Sequence, residues 1–252
     1  MGANRIDRDV LHQTPQSEGA FSSRTRLRVP SERIPLAFER RQPLEMTERA
    51  RAYADEMHRR RTVREFSPEP FPLEIAREAV RAASSAPSGA NQQPWTFVVV
   101  TNAELKQRIR EAAEVEEKKN WEGRMPPEWV EAIEPLGLDW RKPHLTDAPA
   151  LIVVFAQAWG VASDASGQTR RVKHYYVDES VGIAVGVLLS ALHLSGLCTL
   201  THTPSPMGFL RQLLDRPANE RAFMVIPVGY PAPCADVPRL ERKLLDDVLV
   251  VR

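Results

Sequence analysis

The chain has 252 residues, 42% of them hydrophobic and 27% charged, with a formal net charge of +1. That balance suits one soluble domain able to bury its own core, and so small a charge offers no field for nucleic acid or an anionic membrane. Two cysteines, Cys198 and Cys234, exclude a disulfide scaffold and a four-thiolate zinc site, and six scattered histidines without HExxH spacing leave no metal site expected.

Residues 1–43 are polar, rich in Arg and Ser, and without sustained periodicity, so an N-terminal arm is expected, disordered or wrapped on a partner subunit. No signal-peptide core opens the chain, Ile6 stands where a myristoylation signal has Ser or Thr, and no apolar run reaches roughly 20 residues. A cytoplasmic protein with no membrane partner is expected. The domain then runs over 44–252. Leu44, Ala50, Tyr53, Ala54 and Met57 predict a helix over 44–58. Pro72 opens a second to about Ser84, with Ile75, Ala79 and Val80 inward. The β-branched, aromatic run WTFVVV predicts a buried strand over 95–100. Leu105, Ile109 and Ala113 share one face of the next helix, and LIVVF over 151–155 is a second buried strand. The stretch 181–194 is apolar on nearly every side, as a central helix is. Strands are expected at 197–203 and 223–228, with a helix around Arg211 between them. Alternating helices and short strands give an α/β or α+β class.

The segment 116–145 breaks the pattern. It lacks a continuous core stripe yet holds Trp121, Trp129 and Trp140, three of the five tryptophans. It reads as a lid that closes over a flat apolar ligand, or as a peripheral helical pair whose indoles pack on the body.

Three motifs carry candidate chemistry. The run from Arg59 to Arg64 can grip a phosphate through guanidinium forks, or be a solvated face. In the stretch from Ala86 to Trp95, small residues and Gly89 let backbone N–H groups approach a ligand, or simply turn the chain from helix to strand. Thr201, His202, Thr203 and Pro204 can donate to a ring nitrogen, or cap the next helix.

Taken in order, RRTVREF, APSGANQQPWTFVVV, EEKKNW, DWRK, KHYYVDES, THTP, VGYP and VPRLERK resemble the nitroreductase superfamily from about Met57 onward. The inclusion of the lid elements makes the chain similar to the iodotyrosine deiodinase branch. The resemblance implies an α+β fold with a central mixed sheet, an intertwined homodimer, and FMN at the subunit interface. It implies that Arg60 and Thr62 face the flavin phosphate with Arg61 beside them, that Arg242 is a second phosphate ligand, and that Arg64 reaches the N1/O2 edge. A cation there stabilises charge developing on the reduced ring. Pro87, Ser88 and Gly89 match the turn beside the isoalloxazine, and Thr201, His202 and Thr203 the strip along its far edge. Thr203 is the implied donor to N5, which favours passing electrons singly.

The implied reaction is reductive dehalogenation of halotyrosines. The backbone N–H of Ala90 holds the phenolate, and Glu117, Trp121 and Lys142 clasp the zwitterion. Glu117 and Trp121 are four apart and share a helical face. The mammalian relatives carry Tyr where this chain has Trp121; an indole N–H donates but cannot accept. The reductant is open, NAD(P)H directly or through a reductase. A general nitro- or quinone reductase and a flavin-binding sensor without turnover are the competing readings; a Glu and Lys pair suits a zwitterion better than a nitroaromatic.

Overall fold

The computed structural model describes residues 33–163 and 166–252. Of the expected arm, 1–32 lie outside the described residues, and 33–42 form no helix or strand.

The centre is a four-stranded sheet in the order β1-β2-β6-β5, built from β1 (Trp95–Val100), β2 (Ala150–Gln157), β6 (Glu220–Gly229) and β5 (Cys198–Thr199). Neighbouring strands pair antiparallel. Among the described residues, the sheet's parallel component is a single bridge, Thr62 to Thr199. β2 is buried on both faces, so it reads as an unbroken apolar run, and its side chains alternate between two cores as strand geometry requires. Ile152, Val154 and Ala156 pack with α2 (Leu73–Ala83) and α6 (Val177–Leu194). Leu151, Val153 and Phe155 pack on the other face with α3 (Ala103–Lys119), α5 (His144–Asp147) and α7 (Gly208–Leu213). The result is three layers, helices covering both faces of the sheet.

Some expectations shift. The strand expected at 197–203 is only Cys198–Thr199; beyond it Leu200 N still donates to the Pro227 carbonyl at 3.3 Å and His202 bridges Val225, while 200–203 line a cavity. A hairpin of β3 (Trp159–Ser163) and β4 (Thr169–Lys173) was not expected; its strands are half-buried or exposed and lack a clean apolar alternation. The first helix, α1 (Pro43–Arg59), buries no residue, and the apolar positions Leu44 and Tyr53 stay 71% and 53% exposed. It meets α6 through polar contacts instead, Tyr53 Oη with Ser190 Oγ at 3.0 Å and His193 Nε2 with the Glu56 carbonyl at 3.0 Å. α6 buries one side, including Val181, Ala184, Val185 and Leu188, and leaves Gly182, Ile183, Gly186 and Leu194 exposed. By length and hydropathy alone it could cross a membrane, but here it is the core helix of the α2 layer.

Candidate active site

Two chambers open beside the β5 edge, and both have Thr62, Arg64, Leu136 and Pro238 in their walls. The smaller, about 470 Å³, is lined by Arg60, Arg61 and Arg242. Its guanidiniums crowd one another. Burial, then Arg242 and Arg61, lower the pKa of Arg60, and burial lowers that of Arg64. Arg242 is tied down by donating to the carbonyls of His58 and Arg60 at 2.8 and 3.0 Å, and Arg61 donates to the carbonyl of Pro238. Among the described residues, the guanidinium groups of Arg60 and Arg64 have no hydrogen-bond or ion-pair partner. Partly desolvated cations without counter-charge fit an anion such as a phosphate monoester.

The larger chamber, about 1170 Å³, runs from Thr62 and Arg64 past Thr201, His202 and Thr203 to Glu117, Trp121 and Lys142. The structure therefore joins most of the sequence-predicted residues in one continuous space. Its outer wall is the segment after α3. A π-helical turn, Asn120–Arg124, interrupts the helix there, a feature common at functional sites. It leads into α4 (Pro127–Ile133) and a turn ending at Gly137, whose φ of 64° favours a residue without a Cβ. Trp121 and Trp129 line the chamber, whereas Trp140 stacks outside it under Lys118 and Arg141. The ends of the 116–145 segment belong to regular elements: 116–119 finish α3, and Leu145 is fully buried in the core.

Glu117 and Lys142 pair with each other, Nζ to Oε2 at 3.1 Å, with side chains only 14% and 11% exposed. Lys142 Nζ also donates to the Asp139 carbonyl at 2.6 Å. A buried ion pair is a poor device for stability, because desolvation offsets most of the attraction. One facing a cavity presents an ordered dipole to a ligand.

Sequence reading missed His144. Its ring meets that of His202 edge-on, with centroids 5.2 Å apart, and both line the larger chamber. Their Nε2 atoms are buried without hydrogen-bond partners. Burial first, then Lys142, Arg64 and Arg110, lowers the His144 pKa to about 3. Burial also leads in holding His202 well below its ordinary value. Both rings are neutral near pH 7, so the chamber's positive charge comes from Arg64, Arg124, Arg141 and Lys142. A lone His after a proline carries no local signal of such pairing.

Pro87, Ser88, Gly89 and Ala90 line neither chamber. Their loop leads into β1, the edge opposite β5, across three strand spacings or about 14 Å. It also enters at the Gln157 end of β2, seven residues or about 24 Å from Ala150, which pairs with the strand next to β5. Loop and arginines thus occupy diagonal corners of the sheet. The loop is nonetheless a built feature. Ala90, Asn91 and Gln93 all take positive φ, of 50°, 54° and 46°, a costly conformation for residues with a Cβ. Ser88 Oγ accepting from Gln93 N at 2.9 Å, and Gln92 Oε1 accepting from Tyr175 N at 3.0 Å, hold it.

The nitroreductase family pattern matches residues 57–230. The chain belongs to the nitroreductase family. Within the family it is similar to iodotyrosine deiodinases. It is 54% identical over 218 residues to the iodotyrosine deiodinase of Haliscomenobacter hydrossis, covering 86% of this chain and 96% of that one. It is 42% identical to human iodotyrosine deiodinase 1, over 87% of this chain and 75% of the relative. A crystal structure of oxidized iodotyrosine deiodinase bound to FMN and 3-iodo-L-tyrosine superposes with a TM-score of 0.68 at 34% identity, over 79% of this chain and 97% of that chain. Residues 57–230 include Arg60, Arg61, Thr62, Arg64, Thr201, Thr203 and the Glu117–Lys142 ion pair; Arg242 lies beyond them.

Proposed function

We propose that this protein is an FMN-dependent oxidoreductase that removes halogen reductively from halogenated tyrosines and works as a homodimer. The observation that carries the reading is the Glu117–Lys142 pair in the same chamber as Arg64 and Thr203. A zwitterion laid antiparallel to that pair gives its ammonium to Glu117 and its carboxylate to Lys142 without breaking the existing contact. Trp121 and Trp129 then exclude water, which strengthens both interactions. The neutral His144 and His202 add no charge to the chamber.

FMN supplies the two electrons; with one proton they convert the carbon–halogen bond to carbon–hydrogen and release halide. Arg60, Arg61, Thr62 and Arg242 would hold its phosphate, Arg64 the edge where negative charge grows, and Thr203 would donate to N5. Electrons returned by NAD(P)H, directly or through a reductase, would complete the cycle.

The dimer is part of the same proposal. One chain keeps its Ser88 loop far from its own arginines, so a second copy would complete each site with that loop. The exposed apolar strip of α6 and the exposed Leu240, Leu244, Leu245 and Val248–Val251 near the C-terminus support burial between copies.

The test is direct. Purified protein should be a yellow dimer by sedimentation with one FMN per chain. Reduced anaerobically, it should be reoxidised by iodo-, bromo- or chlorotyrosine with release of halide. Reoxidation by nitrobenzene and by none of the halotyrosines would defeat the assignment.

A further inference from the structure

α3 carries Lys106, Arg110, Glu114 and Glu117 at spacings that place them along one helix face. All four reach the stretch 142–148 that returns the chain from the lid segment to β2. Lys106 Nζ donates to the carbonyls of Thr146 and Ala148 at 3.1 and 2.5 Å. Arg110 donates from Nη1 to Thr146 Oγ1 at 2.9 Å and from Nε to Glu114 Oε1 at 2.7 Å. The same Glu114 oxygen accepts the backbone N–H of Lys142 at 2.8 Å. One turn further, Glu117 takes the Lys142 ammonium.

Lys142 is thus held at both ends, its amide by Glu114 and its ammonium by Glu117 and the Asp139 carbonyl. A lysine stem is a flexible chain with substantial rotamer freedom, and its ammonium has no fixed place unless the backbone has one. Pinning the amide to α3, three residues before Glu117, supplies that place. Arg110 in turn fixes the Glu114 carboxylate, with both side chains mostly buried at 27% and 18% exposure. Neither Arg110 nor Glu114 lines either chamber, so neither contacts a ligand there.

We infer that Glu114, held by Arg110, is a positioning residue for amino-acid recognition: it fixes Lys142 so that Glu117 and Lys142 meet a zwitterion as a preformed pair. The inference rests on the zwitterion reading of the proposed function. It separates recognition of the amino-acid end from the phosphate grip, because no residue of the α3 stripe lines the smaller, arginine-walled chamber.

The experiment is calorimetric titration of the FMN-loaded protein with 3-iodotyrosine and with 2-iodophenol, which has the ring but no zwitterion. Glu114→Ala is expected to weaken iodotyrosine about tenfold, ~1.4 kcal/mol, with iodophenol affinity and FMN content unchanged. Glu114→Gln keeps a carbonyl oxygen for the Lys142 amide and should recover most of the loss. Arg110→Met, which releases the carboxylate without removing it, should shift the same ratio in the same direction and carries the test if the alanine variant does not fold. Equal weakening of both ligands, no weakening of either, or no recovery with glutamine overturns the positioning role. A wild-type protein that binds the two ligands alike counts against the zwitterion reading instead.

Discussion

His144 is 6% exposed, its Nε2 has no partner, and its pKa is lowered to about 3, so charging it is a folding problem rather than a surface event. In the unfolded chain a histidine titrates near 6.5. Because the folded value lies below the unfolded one, stability is complete above about pH 6.5 and falls as the pH drops towards 3. At 1.36 kcal/mol per unit, the unfolded chain gains about 2 kcal/mol at pH 5 and about 4 kcal/mol near pH 3 from this one group. His202 is displaced in the same direction and adds to the loss. Replacing His144 with phenylalanine keeps a ring against His202 and removes the titration. Urea unfolding at fixed FMN, measured for both proteins between pH 7.5 and pH 5, should show the variant gaining about 2 kcal/mol on the wild type over that range. Parallel pH profiles would refute the argument, since they would mean that His144 is protonated as readily in the folded protein as in the unfolded one.

The other predictions concern the clasp, the flavin edge and the sheet. Lys142→Met leaves Glu117 as an unpaired, largely buried carboxylate and should cost about 3 kcal/mol in stability. The double variant with Glu117→Gln should recover stability while halotyrosine binding stays lost, and a double variant as unstable as the single one contradicts the pairing. Thr203→Ala should raise nitroaromatic reduction relative to dehalogenation in anaerobic turnover; an unchanged ratio removes Thr203 from that role. At Gly229 a Cβ would meet Pro149 Cδ at 2.5 Å and Cγ at 2.9 Å, both in a rigid ring. Gly229→Ala should therefore cost about 1–3 kcal/mol of stability by overpacking, seen as a lower thermal midpoint, and an unaltered midpoint would show that the strand shifts freely.

Local structure was legible where local physics decides it. The run WTFVVV became β1 with the expected bounds, and LIVVF became the middle of β2, because β-branched runs this apolar have nowhere to go but a buried strand. Ile109 and Ala113 were correctly placed on the buried face of α3. Arg60, Arg61, Thr62, Arg64 and Arg242 were picked out by resemblance across 180 residues, and the fold does gather them around one chamber. The exposed α1 and the missed β3–β4 hairpin mark the limit of this reading. Apolar spacing reports that a face favours burial, not what packs against it, and a half-exposed hairpin imposes no strong pattern on its residues.

The sequence by itself determined β1, β2, β6, the helices α2, α3 and α6, and the kinds of side chain available for gripping an anion and a zwitterion. Tertiary structure alone decided that Glu117 meets Lys142, that Glu114 holds the Lys142 amide, and that His144 meets His202 edge-on and is kept neutral. It also decided that the Ser88 loop lies at the far corner of the sheet from the arginines of its own chain. The physical reason is that pairing, desolvation and distance depend on which elements pack together, and a one-dimensional pattern of side chains carries propensities but not those neighbours.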